Sequence, residues 1–340
     1  MISRIISEIE RLLIFSAGQK NATWAVRQNK FWKYNRKDNS IFTLATVNFI
    51  LQNQNLPEKY LDRTKKISKK IESFYPLYKN KEDSPTYNFY RTKPSEHFPF
   101  GLLMHHLDHF RLPDDIDDTA LIYLTKKNPE SLKLKIHFKK FSDTIPLEKW
   151  HKNATSGEIY NTWFGKKMPK EQDVCAILNV LYFVFQNQFK LENIDLNSIQ
   201  YLTNQIENIS KNPFMISRHY ANSPLILYHY ARFMQKFKVG EFEQKKSKLI
   251  ELTLNKLTNE EVFLNRILME IALLKWGIPR QKIKVDLSSD WSKGFYSFIG
   301  APLAPFKIAT FIASKHFTHI FWKSQLHEWA LILEYEMFFN

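Results

Sequence analysis

Residues 41–54 read IFTLATVNFILQNQ, and residues 175–188 read CAILNVLYFVFQNQ. Both are apolar runs that close on a Gln-Asn-Gln triplet, and both are followed by a short turn and a more polar helical segment. A helix this apolar has no face suited to water, so it belongs inside the fold. The segment after the first run, residues 57–74, puts Tyr60, Ile67, Ile71 and Phe74 on one stripe among lysines, the pattern of a helix with a single buried face. An inner apolar helix joined to an outer amphipathic one is a helical hairpin.

That unit recurs along the chain. Residues 1–16 form an amphipathic helix with Ile2, Ile5, Ile6, Ile9, Leu12 and Leu13 on one side. The run at 175–188 has its outer partner at about residues 197–209. Ser223-Pro224 is a cap with proline at the first helical position, opening a helix to about Phe237, and its partner covers residues 243–257. Thr258 and Glu261 have capping-box spacing and open a helix to Trp276. Residues 317–339 read as a final, aromatic helix. Residues 132–138 alternate like a strand, but Asn128-Pro129-Glu130 just before them is a helix start, and the cap decides for helix. Stacked pairs of roughly 40 to 50 residues fit the length about six times. The expectation is an all-α, single-domain (α/α)6 toroid over residues 1–340, with residues 1–40 as a leading helix and aromatic connector.

Composition narrows the function. Eight glycines in 340 residues argue against a glycine-loop nucleotide fold, and the single cysteine, Cys175, forms no disulfide within the chain. Glu8 and Glu10 stand where a signal peptide would need its apolar core. No uninterrupted apolar run has transmembrane length. These features point to a cytoplasmic protein. The net charge of +15 is spread over helix faces and comes with no nucleic-acid motif, so no nucleic-acid partner is expected. A basic protein that takes apolar substrates can touch a membrane peripherally, and the aromatic segments near residues 295–322 are where it would do so.

A second recurrence lies upstream of the inner helices. Tyr87-Asn88-Phe89-Tyr90 is similar to Tyr160-Asn161-Thr162-Trp163. If every pair runs inner helix then outer helix, all inner helices start at one end, and the segments before them line one rim. Phe89, Tyr90, Trp163, Phe164, His219 and Tyr220 are the rim candidates for a substrate cavity.

The same rim receives residues 113–121, PDDIDDTAL, where Asp114, Asp115, Asp117 and Asp118 fall within five residues of a basic chain. Carboxylates this close repel, and crowding keeps one of them protonated at neutral pH. Two aspartates would suffice for an acidic helix start; four followed by Thr-Ala exceed that need. His105, His106 and His109 precede the cluster; one could tune an aspartate by hydrogen bonding, and the first and last share a helix face as a metal pair would.

Asp115-Ile116-Asp117-Asp118-Thr119-Ala120 is DxDDTA, and here the chain resembles the class II terpene cyclases of the squalene–hopene and copalyl-diphosphate type. The resemblance covers about a dozen residues closely and the helical repeats more loosely. It implies protonation-initiated cyclisation of an isoprenoid, an isomerase or lyase type of reaction with no required cofactor. Asp117 would be the general acid, with Asp115 and Asp118 orienting it. The same letters also fit DDxxD, the metal motif of class I prenyl-diphosphate enzymes, in which Asp114 and Asp118 would hold Mg²⁺ against a diphosphate. No well-spaced second acidic motif accompanies it. Class II enzymes usually close the site between two toroidal domains, and this chain is long enough for one, which leaves room for a second subunit. A toroid that binds a lipid or a protein without catalysis is the remaining alternative.

Overall fold

The computed structural model describes residues 1–18, 22–82, 84–93, 112–126, 130–145, 157–165, 170–220, 222–286, 290–304 and 310–340. His105, His106 and His109 lie outside them. The chain is mostly helical. Its longer helices are α1 (Ile2–Gly18), α2 (Ile41–Gln52), α3 (Glu58–Glu72), α4 (Ile116–Thr125), α5 (Ser131–Lys140), α6 (Val174–Gln186), α7 (Asn193–Gln205), α8 (Ser223–Lys236), α9 (Gly240–Thr258), α10 (Phe263–Lys275) and α11 (Gln325–Met337).

Six of these close a cycle. α2 packs on α4, α4 on α6, α6 on α8, α8 on α10, α10 on α11, and α11 back on α2. Their sequences explain their position. Every residue of α4 is buried, as are residues 41–51 of α2, 174–184 of α6, 223–234 of α8 and 326–336 of α11. The helices outside the ring bury one stripe only: Thr64, Ile67, Ser68 and Ile71 in α3, and Phe242, Leu249 and Thr253 in α9. α3 covers α2, α7 covers α6, α9 covers α8 and α10, and α1 covers α11. The alternating segment at residues 132–138 is indeed helical, within α5, and its buried Leu134 and Phe138 are four residues apart on one face.

The expectation of an all-α chain is corrected by two small antiparallel sheets. Strands β1 (Ala25–Asn29) and β2 (Tyr34–Asp38) form a hairpin in what the sequence presents as an aromatic connector. Strands β3 (Asp143–Ile145) and β4 (Gly157–Ile159) form a second pair. Strands β5 (Phe298–Gly300) and β6 (Ile320–Lys323) join the first hairpin in the order β2-β1-β6-β5. The expected helix over residues 317–339 therefore starts later, at Gln325, where the Ser324 hydroxyl accepts from His327 N–H. Pairing wins over helix at residues 320–323 because Phe321 pairs with Gln28 on one side and with Ile299 on the other. The capping box expected at Thr258 and Glu261 is also absent. Thr258 closes α9, and α10 starts after Val262, whose N–H is met by the Glu260 carboxylate at 3.1 Å.

Candidate functional site

The loops that precede the ring helices are built from the two Tyr-Asn-aromatic segments. Asn88 accepts from Tyr90 N–H at 3.0 Å and donates to the Leu112 carbonyl at 2.7 Å. Asn161 donates to the Trp163 carbonyl at 2.8 Å and accepts from Glu171 N–H at 2.6 Å. Each asparagine thus holds its own loop in a tight fold while the following aromatic side chains project inward. The second loop lies along the acidic segment: Ile116 N–H donates to the Thr162 carbonyl and Phe164 N–H to the Asp114 carbonyl.

Between these loops, the N-terminal ends of α2, α4 and α6, and strands β5 and β6 lies a cavity of about 250 Å³. Its walls are largely aromatic: Phe42, Phe89, Tyr90, Trp163, Tyr220, Phe298 and Trp322. Asp115, Asp117 and Asp118 open into it, with Glu171, Asp173, Arg218 and His219 on the wall. Of the sequence candidates, the structure brings Asp115, Asp117, Asp118, Phe89, Tyr90, Trp163, His219 and Tyr220 to one place.

It does not bring Asp114 or Phe164. Asp114 accepts from Asn80 and from the Thr86 hydroxyl at 2.5 Å each, and from Asn88 at 3.2 Å, so its carboxylate anchors the loop that carries Phe89 and Tyr90. Phe164 turns the other way and packs on Phe138, Phe141 and His137. Among the described residues, no three or more His, Cys, Asp or Glu converge as metal ligands.

The three cavity aspartates have distinct surroundings. Asp115 is the N-cap of α4 and accepts from Asp118 N–H at 2.8 Å. The Asp118 side chain is buried, and among the described residues neither oxygen meets an N–H or O–H donor. Burial first, and then the Asp115 charge, push the Asp118 carboxyl well up, toward its protonated form, and Asp115 is itself raised, by burial, to about 7. Asp117 is met on both oxygens, by Asn179 Nδ2 and by the Tyr220 hydroxyl, each at 2.5 Å. Burial raises its pKa, and these two hydrogen bonds and the charges of Arg232 and His219 partly offset the rise.

Behind Asn179 lies Arg232, which donates to the Asn179 carbonyl oxygen. Arg232 is buried, with its guanidinium 4.6 Å from the centre of the Phe49 ring. A buried cation therefore reaches Asp117 through one amide. On the opposite wall Glu171 and His219 form an ion pair at 3.4 Å, and Trp163 Nε1 donates to Glu171 at 3.1 Å. Burial would raise the Glu171 carboxyl, but the His219 charge brings it down to about 2. Burial would lower His219, but Glu171 and then Asp173 lift it to about 9. Asp173 caps α6 and takes two bonds from the Ser217 hydroxyl; burial still raises it to about 6.

No protein-family model, no curated protein and no solved structure matches this chain. The site therefore has to be read from its own chemistry.

Sequence reasoning missed Phe42, Glu171, Asn179, Arg232, Phe298 and Trp322. Two of them left a trace. Asn179 interrupts an otherwise apolar run, CAILNVLYFVF, and Arg232 interrupts LILYHYARFM. A polar group in a helix buried on all sides needs a partner, and here the two partner each other.

Proposed function

We propose that this chain is an (α/α)6 toroid of the terpenoid-cyclase kind, that it starts the cyclisation of an isoprenoid by protonating it, and that Asp117 is the general acid. The carrying observation is the trio of buried aspartates, with no Lys or Arg among the described residues hydrogen-bonded to them, on the wall of an aromatic cavity. The toroid reading is supported by the closed cycle of six helices and the outer helices that cover them.

Protonating a carbon–carbon double bond takes an acid that holds its proton at neutral pH and gives it up readily. Burial supplies the first property for Asp117. Asn179, polarised by Arg232, and Tyr220 supply the second by drawing on the same two oxygens. The proton moves from Asp117 to one carbon of a terminal alkene. A C–H bond forms, the π bond breaks, and the cation left on the neighbouring carbon is attacked by the next double bond. The sequence ends when a C–H next to the last cation loses its proton. The Asp115–Asp118 pair holds the proton that reloads Asp117. Meanwhile Phe42, Phe89, Trp163, Phe298 and Trp322 present ring faces that stabilise positive charge without trapping it. The cavity has room for on the order of 20 water-sized atoms, which favours a short isoprenoid.

The test is incubation with prenyl diphosphates of increasing length, squalene and oxidosqualene, with and without magnesium, followed by analysis of the extracts. Wild type is expected to yield a cyclic product, and Asp117→Asn to yield none while melting as wild type does. No product across the panel, or the same product from Asp117→Asn, overturns the reading. An unreacted isoprenoid recovered in complex with the protein would leave a lipid-binding toroid in its place.

A further inference from the structure

The first sheet has a second face. At the tip of the β1–β2 hairpin, Phe31 and Trp32 are 68% and 66% exposed, and Phe311 nearby in the chain fold is 78% exposed. A single exposed ring is ordinary, but Phe31, Trp32 and Phe317 are grouped. Phe31 packs 4.9 Å from Trp32 and 5.6 Å from Phe317, ring centre to ring centre. Asn29, the last residue of β1 before the turn, ties the tip of the hairpin to the carbonyls of Phe317 and His319, and the His319 ring reaches the Ala313 carbonyl at 2.7 Å, in the same short helical turn as Phe311. Trp32 Nε1 donates to the Phe317 carbonyl at 2.8 Å. Its one polar atom is thus satisfied inside the protein, and entering an apolar phase would leave no donor unpaired.

The charge around these rings is one-sided. Residues 22–38 and 291–327 supply all four strands of the sheet and their connections; together they contain nine Lys or Arg and one acidic residue, Asp38, which is buried. The chain as a whole has 34 acidic residues in 340, so a stretch of this length with a single, buried one stands out. Lys30, Lys33, Arg36 and Lys315 are exposed beside the rings. Aromatic rings flanked by lysines, on segments that expose no carboxylate, suit the interface of an anionic bilayer, where rings sit among the headgroups and the lysines meet phosphate. Among the described residues, no helix is long and apolar enough to cross a membrane, so the contact would lie at the surface.

We propose that this patch docks the protein on a bilayer of anionic phospholipid, with Phe31, Trp32, Phe311 and Phe317 entering the interface. The placement relative to the cavity gives the docking a use. Along β6, Ile320 and Trp322 line the cavity, while Phe321 between them packs outward on Tyr296 and His316. One strand separates the lipid-facing rings from the site. The docking itself stands independently of the proposed reaction.

The test is co-sedimentation of the full chain with vesicles of phosphatidylcholine alone and of phosphatidylcholine with about one-third phosphatidylglycerol. Wild type is expected to pellet with the mixed vesicles and much less with the neutral ones. The double variant Phe31→Ser/Trp32→Ser is expected to lose at least about tenfold in partition coefficient. Lys30→Glu/Lys33→Glu is expected to lose the preference for the anionic vesicles, and it decides the matter if the aromatic variant does not fold. Wild type left in the supernatant with both vesicles overturns the proposal, as does unchanged binding by both variants. A concentration-dependent dimer in the absence of vesicles that Phe31→Ser/Trp32→Ser dissociates would also overturn it, because the patch would then be a contact between copies.

Discussion

Toward the C-terminal ends of the ring helices, buried carboxylates are matched. Glu334 meets Lys275 at 2.8 Å and the Tyr228 hydroxyl at 2.6 Å, Glu270 is gripped by Arg280 at 2.6 and 2.9 Å, and Glu336 meets Lys282 at 2.7 Å. At the N-terminal ends, Asp118 meets no donor among the described residues, and Asp117 is joined to Arg232 through Asn179. The chain has basic residues in excess, so the difference is not a shortage of partners. A buried acid without a cation keeps its proton, whereas one beside a lysine gives it up. The paired end is built to hold the ring closed. In the proposed function, the unpaired end stores protons where a ligand can reach them.

The comparison breaks most sharply if the paired end proves dispensable. Lys275→Met leaves Glu334 buried against a single hydroxyl and is expected to cost about 3–5 kcal/mol in urea unfolding at pH 7. A loss below about 1 kcal/mol would mean that the pairs do not hold the ring, and the contrast would lose its meaning. Next in size is Asp114→Ala. It takes the acceptor away from Asn80, Thr86 and Asn88 at once and is expected to cost about 2–4 kcal/mol. Asp114 is one residue from Asp115, so a small effect would show that the saturated and the unsaturated aspartates are not energetically distinct.

Asp118→Asn tests the unpaired end and has the opposite sign. A carboxyl whose folded pKa lies above its unfolded value holds its proton longer when folded, so stability falls as pH rises from about 4 upward. The introduced amide is neutral and can donate to Asp115. The variant is therefore expected to match wild type near pH 4 and to exceed it by about 1–2 kcal/mol at pH 8, measured by chemical unfolding at both values. Equal stability at both pH values would show that Asp118 is not the group that keeps the proton.

The ring was readable from the chain because its signal is local. A helix apolar on all faces, repeated with the same Gln-Asn-Gln ending at residues 52–54 and 186–188, declares an inner layer without reference to anything distant. The rim followed from chain direction alone, and so Asp115, Asp117, Trp163 and Tyr220 could be grouped although Asp117 and Tyr220 are 103 residues apart. The first sheet was not readable for the opposite reason. Arg27 pairs with Trp322 across nearly the whole chain, and strands of three to five residues carry too little alternation to announce themselves. Phe164 was misplaced because the residue after Trp163 has two ways to turn. Phe138 and Phe141, which draw it away from the cavity, come from the C-terminal end of α5.

The smallest expected effect concerns the one ion pair on the cavity wall. Glu171 and His219 sit at the unpaired end yet behave like the paired one, so they mark where the two regimes meet. His219 is faced by the carboxyls of Glu171, Asp173 and Asp115, and its pKa is lifted from the usual 6.5 to about 9. A raised histidine contributes stability that is fully present below about pH 6.5 and disappears as pH passes 9. Glu171, held near 2, contributes above its usual 4.5 and loses that contribution as pH falls toward 2. Between these limits the pair is charged on both sides. His219→Gln keeps a polar side chain against Trp163 but cannot carry the charge. It is expected to be about 1 kcal/mol less stable than wild type near pH 6, with the gap closing toward pH 10. Parallel unfolding curves for the two proteins from pH 6 to pH 10 would mean that His219 is neutral. Arg218 would then be the remaining cation on the cavity wall among the described residues.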